Sequence, residues 1–120
     1  MRQFHHIGII TEQVQPGEID VPAAKVHVTN PNDHPQRIEY VRFEPDSPVT
    51  GLLRTQPHIA FKVENIRDEI AGEHVLLGPF EAMDGLEVVF ILKDGAIFEF
   101  MQFHSPSVFD LPPPQPQPGL

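Results

Sequence analysis

No cysteine occurs in the 120 residues of this chain. Disulfides, thiolate metal sites and a cysteine nucleophile are therefore all excluded. Positive charge is scarce as well, with eight Lys plus Arg against 17 Asp plus Glu and a formal net charge of −9. No basic cluster offers itself to a phosphate backbone, so a nucleic-acid partner is set aside. Long apolar runs are missing, so neither a secretory leader nor a membrane span is expected, and the expected location is the cytoplasm. What remains is ordinary for a globular protein, with 40% hydrophobic and 21% charged residues. That is enough chain for one core.

The chain repeats itself. Phe4-His5-His6-Ile7-Gly8-Ile9-Ile10 opens one half and Gln56-Pro57-His58-Ile59-Ala60-Phe61-Lys62 opens the other. Each half closes on a strand-like segment with a glutamate, Ile38-Glu39-Tyr40-Val41-Arg42-Phe43 and Phe98-Glu99-Phe100-Met101-Gln102-Phe103. Superposing the halves sets His6 on His58 and Glu39 on Glu99. A duplicated unit fixes architecture before any single element is assigned.

Between these landmarks the pattern predicts mostly strands. Residues 4–10 read as a strand whose internal Gly8 marks the close approach of another group. Residues 11–24 show no helical period and read as a loop, followed by a short strand to residue 28. Asn30-Pro31-Asn32-Asp33-His34 reads as a turn, and residues 37–43 as a strand. The second half restarts with a strand over 57–63. Asn65-Ile66-Arg67-Asp68-Glu69-Ile70-Ala71-Gly72 then has the Asn start, early acids and Gly stop of a short helix. Residues 74–77 predict a short strand broken at Gly78-Pro79. Asp94-Gly95 between two apolar runs signals a hairpin. The sequence from Ser105 onward, proline-rich to residue 118, reads as an extended tail outside the sheet.

Side chains two apart on a strand share a face. That rule puts His6 with Phe4 and Gly8, and His58 with Ala60. Glu39 falls with Val41 and Phe43, and Glu99 with Met101 and Phe103. A carboxylate on an apolar strand face needs a partner, because burial without one costs several kcal/mol or shifts its pKa. A divalent metal is such a partner. Imidazoles and carboxylates suit Zn, Ni, Co, Mn or Fe(II), and four ligands of this kind leave positions for water or substrate.

His6-Ile7-Gly8-Ile9, His58-Ile59-Ala60-Phe61 and Asp94-Gly95-Ala96-Ile97-Phe98-Glu99 resemble the vicinal oxygen chelate superfamily. That superfamily includes glyoxalase I, methylmalonyl-CoA epimerase, extradiol dioxygenases and bleomycin-resistance proteins. The resemblance spans residues 3 to 104. It implies an α+β fold of two paired βαβββ modules, about 3–50 and 56–104, forming a curved mixed sheet around a cleft. One domain over 1–104 would then be followed by the tail, 105–120. It further implies metal ligation by His6, Glu39, His58 and Glu99, with Glu99 or Glu39 as the catalytic base, and a homodimer. The His, Glu, His, Glu set is similar to that of glyoxalase I, whereas the epimerase pattern has Gln where this chain has Glu39. One departure stands out: residues 11–24 supply no helix for the first module.

Two functions compete at this point. A metal-dependent isomerase or lyase acting on a small oxygenated substrate would use the full quartet, with a glutamate moving a proton beside a metal-polarised oxygen. A metal-free sequestering protein of the bleomycin-resistance type would use the cleft alone. Ring-cleaving dioxygenases need only two His and one carboxylate, which tilts the four-residue set against them. His5 replaces His6 only if the register slips by one. His27, His34, His74 and His104 fall at loops or strand ends and read as solvated, and Arg42 and Lys62 read as surface residues.

Overall fold

The computed structural model describes residues 1–113. Eight strands alternate with few helical turns: β1 (Gln3–Ile10), β2 (Ile19–Val21), β3 (Val26–Val28), β4 (Ile38–Phe43), β5 (His58–Lys62), α1 (Ile66–Glu69), β6 (His74–Met83), β7 (Leu86–Lys93) and β8 (Ala96–Phe103). They form one curled mixed sheet in the order β2-β3-β4-β1-β5-β8-β7-β6. The fold is α+β with little helix, wrapped around a cleft, as the resemblance implied. Among the described residues, no helix is long and apolar enough to cross a membrane.

The duplication is visible in the pairing. In each half the first strand lies parallel to the last, β1 on β4 and β5 on β8. The two opening strands meet antiparallel at the centre, with Gly8 opposite His58 and His6 opposite Ala60. All four repeat-marked residues thus come from the four central strands. The hairpin between β7 and β8 turns at Asp94 and Gly95, both with positive φ (54° and 77°). This is the backbone of a type I′ turn, which Asp-Gly favours.

Apolar residues divide between the two faces as the alternation requires. The inner face gathers Val21, Val26, Val28, Val41, Leu86, Val88, Ile97 and Met101 around the cleft. On the outer face of the second half, Val63, Val89, Ile91 and Phe100 pack with Ile66 of α1. The Asn65 side chain caps that helix by accepting from the Arg67 and Asp68 amides. The first half has no counterpart helix, as its sequence implied.

Three expectations need correction. Residues 11–24 are not all loop: β2 adds an edge strand at Ile19–Val21 and Pro22–Ala24 form a 3-10 turn. Gly78-Pro79 does not end β6, which runs on to Met83 by absorbing register shifts against β7. Phe4 does not share a face with His6. The β1–β5 register slips between these two residues, so Phe4 pairs with Phe61 while His6 pairs with Ala60, its neighbour on β5. His5 is the extra residue of that bulge.

The segment after β8 stays out of the sheet, as expected, but part of it packs tightly. Phe109 is 1% exposed and belongs to the inner core. Asn32 Nδ2 donates to the Val108 and Asp110 carbonyls, and Lys62 pairs with Asp110 at 2.6 Å. Most of the proline-rich stretch predicted to be extended lies outside the described residues.

Candidate metal centre

Four buried side chains converge where β4, β1, β5 and β8 lie side by side. His6, Glu39, His58 and Glu99 each present one ligand-type atom, and these atoms all lie within 4.8 Å of one another. His6 Nε2 is 3.3 Å from Glu39 Oε1 and 3.3 Å from Glu99 Oε1. His58 Nε2 is 3.1 Å from Glu99 Oε1 and 3.7 Å from Glu39 Oε1. The two Nε2 atoms are 3.3 Å apart. The structure thus brings together all four residues that the repeat aligned.

Local backbone chemistry explains how they fit. A Cβ on Gly8 would fall 2.0 Å from His58 Cε1, so the glycine makes the space that the imidazole fills. This is the close approach expected from a glycine within a strand. Ala60, fully buried opposite His6, keeps the neighbouring position small.

His5 was the residue that alternation misplaced. It is fully buried, its Nε2 donates to the Phe109 carbonyl, and its Nδ1 is 2.7 Å from His6 Nδ1. A carbonyl only accepts, so the His5 proton sits on Nε2 and its Nδ1 is the acceptor. His6 must then donate from Nδ1, which turns the Nε2 lone pair of its neutral ring toward the two carboxylates. Hydrogen-bonding the far nitrogen of a ligand histidine is the usual way proteins fix its tautomer and aim. The tandem His5-His6 and the lone phenylalanine in a polar tail were the available signals for this relay.

Electrostatics agree with that assignment for His5, and place on His6 of the metal-free protein the extra proton that a metal would replace. Burial, reinforced by neighbouring His6, pushes His5 down to about 4, so it stays neutral. His6 is pushed up to about 10: burial opposes its charge, but Glu39 and Glu99 outweigh it. His58 is raised, burial notwithstanding, by the same carboxylates. Glu39 and Glu99 are held below the ordinary carboxylate range although burial favours their neutral forms, because the imidazoles lie against them. A cluster whose lone pairs all point inward needs a cation at its centre, either protons on the imidazoles or a metal. Two imidazole nitrogens and two carboxylate oxygens are a donor set that first-row divalent ions accept.

The centre borders a cleft. Glu39, His58 and Glu99 form the polar end of a cleft with about 690 Å³ between its walls, mouth included, while His6 lies behind them. The remaining histidines are elsewhere. His27 pairs with Asp20, His104 pairs with Glu87 across from Arg67, and His74 is exposed on β6. Arg42 is held by Glu18, and Lys62 by Asp110.

No family profile matches the sequence, and no curated protein does. The structure is similar to that of a hypothetical protein from Bacillus halodurans C-125. The TM-score is 0.68 at 19% identity, covering 88% of this chain and 97% of that chain. At that identity the likeness shows the fold alone.

Proposed function

We propose that this protein is a divalent-metal enzyme of the vicinal oxygen chelate type, an isomerase or lyase acting on a small oxygenated substrate. The observation that carries the reading is the convergence of two imidazole Nε2 atoms and two carboxylates at the inner end of a cleft. His6, Glu39, His58 and Glu99 would hold the ion, whether Zn, Ni, Co, Mn or Fe. Once bound, it would supply Lewis-acid polarisation of a substrate oxygen.

The chain's own residues do the rest. The relay through His5 to the Phe109 carbonyl holds His6 in one tautomer and orientation. Apolar walls exclude water, which strengthens every charge interaction at the cleft's polar end. Glu99 or Glu39 would take a proton from the carbon beside a substrate oxygen and return it. Replacing each by Gln separates the two: loss of turnover with metal retained identifies the base. The same reading takes the working form as a cytoplasmic homodimer, supported by the outer face that the first module leaves without a helix. Sedimentation velocity measures that directly.

The decisive experiment is elemental analysis of protein purified without chelator or affinity tag, beside His58→Ala and Glu99→Ala. Near-stoichiometric metal in the parent, lost in both variants, supports the enzyme. A parent that carries no metal and takes up none of the five ions sinks it. The second reading, a metal-free sequestering protein, is favoured by the apolar cleft walls and would then stand.

A further inference from the structure

We propose that the cleft takes an uncharged, apolar molecule presenting adjacent oxygens to the His/Glu centre, and rejects molecules bearing a separate phosphate or carboxylate. The chelating end of this ligand rests on the metal reading above, while the apolar end rests on the cleft alone.

The walls come first. Apart from Glu39, His58 and Glu99, every residue lining the cleft is hydrophobic, Val26, Val41, Leu77, Phe90, Met101 and Phe109 among them. Among the described residues, no hydroxyl, amide, Lys or Arg side chain lines it. A carboxylate or phosphate carried in beside these walls would lose its hydration and gain no partner, a cost of several kcal/mol.

The cations of the whole chain point the same way. The sequence has eight Lys plus Arg, and each one is engaged away from the cleft. Arg2 pairs with Glu69, Lys25 with Asp46, Arg42 with Glu18, Lys62 with Asp110, Arg67 with Glu87 and Lys93 with Glu73. Arg37 donates to the His5 carbonyl and to Asn32 Oδ1, and Arg54 donates to the Ser47, Val49 and Glu44 carbonyls. Among the described residues, no unengaged Lys or Arg side chain remains to receive an anionic substrate.

The centre itself adds no attraction for an anion. Two carboxylates and one divalent ion sum to zero charge, and the net charge of −9 repels anions at longer range. Nor does α1 address the cleft, since it packs on the outer face against Val89 and Phe100. An apolar body with a chelating head is the ligand that these surfaces accept.

The test titrates the full-length, cobalt-loaded protein by visible absorption with three probes: acetohydroxamic acid, octanohydroxamic acid, and suberic monohydroxamic acid, whose chain ends in a carboxylate. Each buried methylene strengthens binding by about three- to fourfold, so the octanoyl probe is expected to bind at least about tenfold tighter than the acetyl one. The carboxylate-ended probe is expected to lose at least that gain. Equal affinity for the octanoyl and carboxylate-ended probes, or no gain over the acetyl probe, overturns the proposal. Should the protein take up no cobalt, the metal reading fails, and octanol against octanoate on the metal-free protein decides the cleft's preference. Octanol shifting the Met83 and Met101 methyl resonances, with octanoate at least about tenfold weaker, supports it. Equal or reversed binding overturns it.

Discussion

Gly8 faces His58 across the antiparallel β1–β5 pair, and the added Cβ of Gly8→Ala would meet three atoms of the imidazole within 2.5 Å. The ring has to move, because the alternative is a backbone shift in the central strand pair. Overpacking of this kind costs about 1–3 kcal/mol. The expected signature is a larger loss in metal affinity than in stability, read by competition with a chromophoric chelator beside a urea titration. A normal affinity would show that His58 does not need its present position. His5 makes a separate case. His5→Phe keeps a flat ring in the bulge but removes both the acceptor for His6 Nδ1 and the donor to the Phe109 carbonyl. Losing such an outer partner lowers metal affinity by about 10–100-fold. His27→Ala, at a histidine paired with Asp20 away from the centre, is expected to leave affinity unchanged.

Strands carry the site, and most of their geometry could be read from alternation. Glu39 with Val41 and Glu99 with Met101 needed only the period of two, and the β7–β8 turn needed only Asp94-Gly95. The repeat itself brought His6 and His58 together. Reading failed where the backbone breaks its own period. A bulge shifts every residue beyond it to the other face, so Phe4 was placed with His6 and the role of His5 was invisible. β6 could not be followed through Gly78-Pro79 because its register shifts lie against β7, a partner that local sequence does not specify. The chain after His104 hid a further element. Its prolines suggested a loose tail, yet Phe109 fills the inner core and its carbonyl anchors the relay. Removing residues 105–120 deletes that anchor, and loss of a buried phenylalanine alone costs about 3–5 kcal/mol. Truncation after His104 is therefore expected to lower the urea midpoint sharply and weaken metal binding. An unchanged midpoint would mean that the sheet alone is the stable unit.

At the scale of the whole molecule, the centre makes stability depend on pH in a form that distinguishes the metal-free protein from the loaded one. His6 is raised from 6.5 to about 10, so its contribution is complete below pH 6.5 and is lost as pH climbs through 10. His58, also raised, bends the curve in the same sense. His5, lowered from 6.5 to about 4, contributes fully above pH 6.5 and loses that contribution as pH falls through 4. Glu39 and Glu99, both lowered from 4.5, contribute above pH 4.5 and steepen the acid limb below it. The metal-free protein is therefore expected to be most stable near pH 6.5, with stability falling toward both extremes. Urea titrations in the presence of a chelator, from pH 4 to pH 10, measure the curve. Repeating them with zinc should abolish the alkaline loss, because a bound cation replaces the imidazole protons between the carboxylates. At a free metal concentration 100 times Kd it should add about 2.7 kcal/mol. Two identical curves would mean that the cluster holds only protons. A metal-free curve still rising at pH 9 would mean that His6 does not carry its charge between Glu39 and Glu99.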